Sequence, residues 1–479
     1  MNFNKLINSF IRRFSYYIAL KTNLYLSHKP DMHTKLNKIK GWADFPDRNL
    51  IKYVKKTLTC RLRILIVKIK VLGAAGEVGR SGFLVNCDGT NLLLDYGVMF
   101  SKKRNDPPLY PLHVKPKDVD AAIITHAHLD HSGCVPSLFN GGNTSVYCTS
   151  PTLDLSMLLI EDMLKIEKNK HSFHNGHVNS MLRNSKEIGF KEPVKVGNAT
   201  FELRSSGHVI GGSTVLVEAD NKRLFYTGDI NPNGSRMLPK ADLDIGDIDI
   251  LITESTYSQT DQMPREESEN GLIEFANEVM DRKGILFIPS FSVERSQEIA
   301  CVLKNVNFKY PVVMDGMALK VNDIMLRYPE YLKDMKIFAD VIDDAVLIRD
   351  HGDRERAISE PCVVISPAGM LVGGNAVYYM QNLATDDKNG IAIVSYQAEG
   401  TPGKKLLETG KISFRGKEMK VKAPLKQFQF SGHGDRTSLF DMIKNIKGDP
   451  KVLAVHGDEN SCTKFAEEIQ EKFGLDAYA

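Results

Sequence analysis

The sequence predicts an α/β protein of two lobes, and three observations carry that expectation. Residues 63–97, RILIVKIKVLGAAGEVGRSGFLVNCDGTNLLLDYG, are short β-branched runs separated by Gly and Asn-Gly-like turns, the pattern of a β-meander. Apolar strand-like runs then stop at polar clusters: AAIIT before HAHLDH, and RLFYTGD at 223–229. From about residue 250 to 400, strand and helix patterns alternate, as in parallel βαβ units. At 479 residues the chain is also too long for one small domain.

The elements follow in order. DIDILITEST reads as a buried strand, and REESENGLIEFANEVMDRKG has helical periodicity and ends at a Gly. ILFIPSF is a strand and SQEIACVLKNV a helix; PVVMDG and CVVISPAG are further strands. KVLAVHGDE returns to a strand, and SCTKFAEEIQEKFG closes the chain as a helix. No internal repeat or low-complexity linker interrupts this pattern from about residue 66 onward.

Composition narrows the function classes. No run reaches the roughly 18 uncharged apolar residues that a membrane span needs. The seven cysteines are odd in number, scattered and without a CxxC pair. That pattern argues against a disulfide framework and a cysteine-based metal site, and for a reducing, cytoplasmic setting. Charge is uneven: residues 1–70 hold 16 Lys/Arg against 3 Asp/Glu, while the whole chain is only +3. Such a basic leader suits nucleic acid or an anionic membrane. Residues 1–65 read equally as a poorly ordered extension or an early start codon, with the ordered protein beginning near Ile64. Trp42, the sole tryptophan, sits there and supports no stacking platform.

THAHLDHSG at 125–133 is the strongest signal. His126, His128, Asp130 and His131 place four potential ligands within six residues, on the loop that leaves the AAIIT strand. Imidazole and carboxylate donors suit a borderline ion such as zinc. His126 and His128 point one way while Asp130 and His131 serve a second ion. Two metals about 3.5–4 Å apart need several more ligands and a bridge. Strand ends supply candidates: Asp95 after NLLL, Asp229 in LFYTGD and His456 in VLAVH, with His208 in the Gly-rich SSGHVIGGS.

HxHxDH followed by a distant His and by Asp in a TGD context resembles the metallo-β-lactamase fold. TEST at 253–256, FSGHGD at 430–435 and AVHGDE at 454–459 are similar to motifs A, B and C of its β-CASP nucleases, at Glu254, His433 and His456. SPAGMLVGG at 366–374 and VSYQAEGTPGKKL at 394–406 look closest to archaeal ribonuclease J and the archaeal cleavage and polyadenylation specificity factor nucleases. The resemblance covers about residues 66–479. It implies an αββα sandwich formed by 66–256 and 424–479, with a parallel α/β β-CASP lobe inserted at 257–423. It also implies two zinc ions per chain. His126, His128 and His208 would hold the first, Asp130, His131 and His456 the second, and Asp229 both. Asp95 would orient ligand histidines. The catalytic set would be His433, Glu254, Asp229 and Asp130, with His433 as general acid and Glu254 holding it. His456 at motif C points within the family to RNA, here single-stranded, cut to leave 5′-phosphate and 3′-hydroxyl ends. Exonuclease and endonuclease members share this site. Family members often dimerise, and an RNA-processing complex is a further expected partner. The rival readings are a catalytically inactive scaffold subunit and a hydrolase of another substrate, such as a thioester or lactone.

Weaker features have two readings each. Ser366 and Gly369 present backbone N–H groups to a phosphate, or form a turn that packs the lobes. Arg295 contacts the RNA backbone or is a solvated helix charge, and Lys404 and Lys405 divide the same way. His171, His174 and His177 read as an exposed stretch, as does His351.

Overall fold

A computed structural model describes residues 67–100, 106–167, 170–414 and 416–479. The basic leader, with Trp42, lies outside the described residues.

Alternation along the strands builds the first lobe. Strands β1 (Lys68–Gly73), β2 (Gly82–Cys87), β3 (Thr90–Tyr96), β4 (Ala121–Ile123), β5 (Ser145–Cys148) and β6 (Ser185–Glu187) form one sheet in sequence order. The first three are antiparallel, as the meander pattern predicts, and β3 to β6 are parallel. Strands β7 (Val194–Val196), β8 (Ala199–Ser205), β9 (Ser213–Ala219), β10 (Lys222–Tyr226) and β11 (Ile250–Glu254) form most of a second sheet. Successive side chains of a strand face opposite sides, and the sequence uses this. Phe83, Val85, Leu92 and Leu94 meet Phe201, Val215, Leu224 and Tyr226 between the sheets. Leu93 turns the other way, toward the layer of helices α2 (Ser150–Ile166) and α3 (Asn175–Asn184), through Leu153, Ile160 and Met181. On the far side Phe225 and Leu251 pack under the C-terminal helices, against Leu439 and Phe465. The result is an αββα sandwich.

After β11 the chain leaves this sandwich through α4 (Arg265–Asp281) and builds a third, all-parallel sheet with α5 (Arg295–Asn305) and further helices. Its strands are β12 (Leu286–Pro289), β13 (Val312–Met314), β14 (Val346–Leu347), β15 (Val363–Ser366) and β16 (Gly390–Ile393). A hairpin, β17 (Lys411–Phe414) and β18 (Lys417–Lys420), precedes the edge strand β19 (Leu425–Gln427). The strand order is β14-β13-β15-β12-β16-β19. Both faces of the central strands β12, β15 and β16 are covered, so these are almost continuously apolar. Leu286, Ile288 and Ile365 face one core, and Phe287, Val364 and Ile393 face the other. Past β19 the chain rejoins the sandwich. β20 (Lys451–Val455) pairs in parallel with β11, and β21 (Ala477–Tyr478) with β20.

This topology gathers functional groups at one edge. Asp95 is the penultimate residue of β3, and Thr125 and His126 follow β4. Glu254 ends β11, Asp229 follows β10 and His456 follows β20. Asp95 and His456 both sit in the left-handed backbone region, with φ of 55° and 53°, a conformation costly for residues with a Cβ and typical of functional sites. The close approach at Gly97 completes the edge. A Cβ there would lie 1.8 Å from the Asp130 carbonyl oxygen, in the short helix α1 (Leu129–Ser132). Gly97→Ala therefore has to displace the His128–Ser132 turn. We expect it to cost about 1–3 kcal/mol, as overpacking does, measured by urea unfolding. An unchanged midpoint would show that the turn yields freely.

Candidate metal centre

Seven side chains converge at this edge. His126 Nε2 lies 3.1 Å from His128 Nδ1, which lies 3.2 Å from His208 Nε2. Three ring nitrogens at that separation do not all make hydrogen bonds to one another; they aim lone pairs at a common point. A second group lies alongside: His456 Nε2 is 3.3 Å and His131 Nε2 3.9 Å from Asp130 Oδ2. Asp229 joins the two. Its Oδ2 is 3.5 Å from His126 and 3.7 Å from His208, while its Oδ1 is 3.3 Å from both His131 and His456. That Oδ1 is buried without a hydrogen-bond partner, a costly state unless something else satisfies it. Donor atoms of each group lie within 4.8 Å of one another. The donor chemistry, the converging nitrogens and the orphaned oxygen all fit bound metal.

Charge and solvation fit ligation at His126 and His208. Burial, reinforced by neighbouring histidines, pushes His126 and His208 well below the usual histidine range. Both are then neutral at pH 7, the form that ligates. Burial acts the same way on His131, but the Asp229 and Asp95 carboxylates outweigh it and lift that group well above its usual range. Burial would raise Asp229; His131 and His456 instead hold it well below the usual carboxylate range.

Outer contacts fix ring orientation. Asp95 accepts from Thr125 N (2.7 Å), Thr125 Oγ1 (2.8 Å) and Tyr226 Oη (2.8 Å), and pairs with His131 Nδ1 at 2.8 Å. This leaves His131 Nε2 facing the cluster. His208 Nδ1 contacts the Gly432 carbonyl at 2.8 Å, with the same effect on its Nε2. Thr125, Tyr226 and Gly432 were not singled out from the sequence. Thr125 directly precedes HAHLDH and Tyr226 ends β10 just before the TGD segment, which is the one signal that marks them.

His433 stands beside the cluster, its Nε2 3.9 Å from Asp229 Oδ2. Its Nδ1 is 2.8 Å from Glu254 Oε2, and Glu254 Oε1 accepts from Ile230 N at 2.7 Å. Burial alone would lower the His433 pKa; Glu254 and Asp229 more than offset this and raise it to about 9. Tyr257 flanks the ring at 6.0 Å between centroids.

The weaker sequence candidates make other contacts. Ser366 is fully buried at the end of β15 and donates to the Pro367 carbonyl. The Gly369 carbonyl accepts from Gln397, and a Cβ on Gly369 would meet Ser395 Oγ at 2.8 Å, which makes this turn a packed one. Arg295 opens α5, with its Nε buried and unpartnered. Among the described residues, none of the three is hydrogen-bonded to the histidine–aspartate cluster. Lys404 pairs with Glu399 and Glu408, and Lys405 with Glu418. His351 is exposed as expected. The expected exposed run at 171–177 differs in part: His171 is buried against Tyr110 Oη (2.8 Å) and Glu167 (3.1 Å), while His174 and His177 cap α3. The six described cysteines are free and buried. No helix among the described residues is long and apolar enough to cross a membrane.

Comparison with known proteins agrees with this geometry. Residues 75–263 match the Metallo-beta-lactamase superfamily, 296–406 the Beta-Casp domain, and 418–479 the Zn-dependent metallo-hydrolase RNA specificity domain. RNase aCSPSF2 of Saccharolobus solfataricus is 36% identical over 411 residues, which cover 85% of this chain and 82% of that protein. Transcription termination factor FttA of Methanocaldococcus jannaschii is 35% identical over 449 residues, 86% of this chain and 70% of that one. A solved structure of an Enterococcus faecalis V583 protein of unknown function shares the fold, with a TM-score of 0.55 at 14% identity over 81% of this chain and 93% of that one. On this sequence and geometry the chain belongs to the β-CASP branch of the metallo-β-lactamase superfamily, a metal-dependent ribonuclease of RNA processing.

Proposed function

We propose that the chain hydrolyses phosphodiester bonds of single-stranded RNA with two zinc ions. His126, His128 and His208 would hold one, Asp130, His131 and His456 the other, and Asp229 both. The observation that carries this reading is the Asp229 carboxylate, which directs one oxygen to each group of donors. Zinc is favoured because donors about 2.0–2.1 Å from a tetrahedral ion stand roughly 3.3 Å apart, close to the spacings of the three-histidine group. Bound ions of this kind supply Lewis acidity, acidifying water and offsetting charge on phosphoryl oxygens.

The chain's own residues do the rest. Asp95 and the Gly432 carbonyl hold ligand rings in place by their second nitrogen. Hydrolysis forms a bond from water to phosphorus and breaks the bond to the 3′-oxygen. His433, held at Nδ1 by Glu254, donates the Nε2 proton to that departing oxygen. Products then carry 5′-phosphate and 3′-hydroxyl ends. A single strand is favoured because the site is deep: His126 and His131 are each 1% exposed. A flexible strand can present one phosphate there, whereas a stiff duplex backbone cannot. The RNA specificity match at 418–479 supports the choice of nucleic acid. We place this activity in the cytoplasm.

Two tests follow. Zinc-loaded protein is incubated with 5′-labelled and 3′-labelled single-stranded RNA, beside an Asp130→Ala plus His131→Ala variant. Cleavage is expected for the wild type alone and not for a matched duplex. Mononucleotides released from a 5′-monophosphate end identify a 5′-to-3′ exonuclease, and discrete internal products an endonuclease; no cleavage above the variant refutes the reading. Separately, His433→Ala should lower kcat roughly 100- to 10,000-fold, the range for a lost general acid, with zinc content unchanged by absorption spectrometry. Wild-type turnover by that variant would remove His433 from the chemistry.

A further inference from the structure

The inserted lobe does more than border the site. Ala127, which separates His126 from His128, is buried in the same apolar cluster as Leu272, Ile288, Val293 and Ile299 of that lobe. Val209 and Ile210, directly after His208, belong to it too, as do Met237 and Leu238, downstream of Asp229. Three loops of the metal centre are thus packed on a core that the insertion supplies.

One helix end adds polar contacts to the same loops. Glu294 is the residue just before α5, and Glu298 lies in the first turn of that helix. Glu294 Oε2 accepts from Ile210 N at 3.3 Å. Glu298 Oε1 accepts from Arg236 N at 2.9 Å, its Oε2 accepts from Met237 N at 3.2 Å, and its carboxylate also pairs with Arg265. Both side chains are buried, at 6% and 1% exposure. Glu294 also holds a left-handed backbone, φ 68°, and its Oε1 has no hydrogen-bond partner. Burial, aided by Glu298, raises its pKa to about 8. A buried carboxyl on a strained backbone is doubly unfavourable for stability, and such outliers persist where the surroundings over-determine them.

We infer that Glu294 and Glu298 are positioning residues, through which the inserted lobe holds the backbone of the His208 and Asp229 loops and so sets the metal site. The inference rests on the ligand assignment proposed above.

The test uses the full chain loaded with zinc, with three readouts: Tm, the rate of zinc loss to a chromogenic chelator, and kcat and KM on single-stranded RNA. Glu294→Gly removes the carboxylate and relieves the left-handed backbone. Its Tm should hold or rise, while zinc is lost at least 10-fold faster, the lower bound for an orienting contact. Its kcat should fall about 10-fold with KM within roughly 2-fold. Glu294→Gln keeps a carbonyl acceptor for Ile210 N and should stay near wild type. Should the glycine variant fail to fold, Glu298→Gln gives the same reading, since one acceptor becomes a donor facing an amide N–H. Zinc loss at the wild-type rate in Glu294→Gly and Glu298→Gln overturns the inference, as does a loss that merely tracks a lower Tm or Glu294→Gln as impaired as Glu294→Gly. A wild-type chain that takes up no zinc refutes the ligand assignment itself, and this inference falls with it.

Discussion

A buried carboxylate with histidines on both sides organises this molecule. Asp229 is 2% exposed and has one oxygen toward His126 and His208 and the other toward His131 and His456. Histidines cluster around it, and mutual repulsion with burial keeps part of that set neutral while carboxylates charge another part. Such a group cannot be solvated by water alone at this depth; it needs partners fixed in advance. The fold provides them by ending strands β3, β10, β11 and β20 at one edge, each with a polar residue just at or past its end. Apolar residues in those strands make the two sheets, and the sheets set the distances between the polar ends.

The second lobe enters this arrangement as support. Its core continues under the His126–His128, His208 and Asp229 loops. The insertion also returns the chain through β19 to the segment that carries His433, whose Nδ1 meets the Glu254 carboxylate. Metal ligands and the proposed proton donor therefore come from segments far apart in sequence, held by one packed interface.

Much of this was legible before any coordinates. HAHLDH, Asp229 and His456 stand out because each is polar where an apolar run stops, while His208, Glu254 and His433 stand out through the resemblance to the family motifs; the structure brings all of them together. The meander foretells the antiparallel start of the first sheet and the alternating middle region the parallel one, while the αββα sandwich is what the family resemblance implies. What stayed hidden was whatever depends on contacts between distant segments. Glu294 and Glu298 have the local pattern of solvated helix charges, and only the placement of α5 against the Ile210 and Met237 amides buries them. His171 looks exposed in a polar run, yet Tyr110, 61 positions earlier, covers it. Gly369 reads in sequence as an anion-binding turn or a packing turn alike, and only the structure shows Ser395 and Gln397 filling the space around it.

Anomalous diffraction at the zinc absorption edge, from crystals grown with zinc, tests the central proposal most directly. The account predicts two peaks about 3.5–4 Å apart. One should lie about 2.0–2.2 Å from nitrogens of His126, His128 and His208, the other at similar distances from Asp130, His131 and His456, with Asp229 touching both. A single peak, or two peaks that Asp229 does not join, would contradict it.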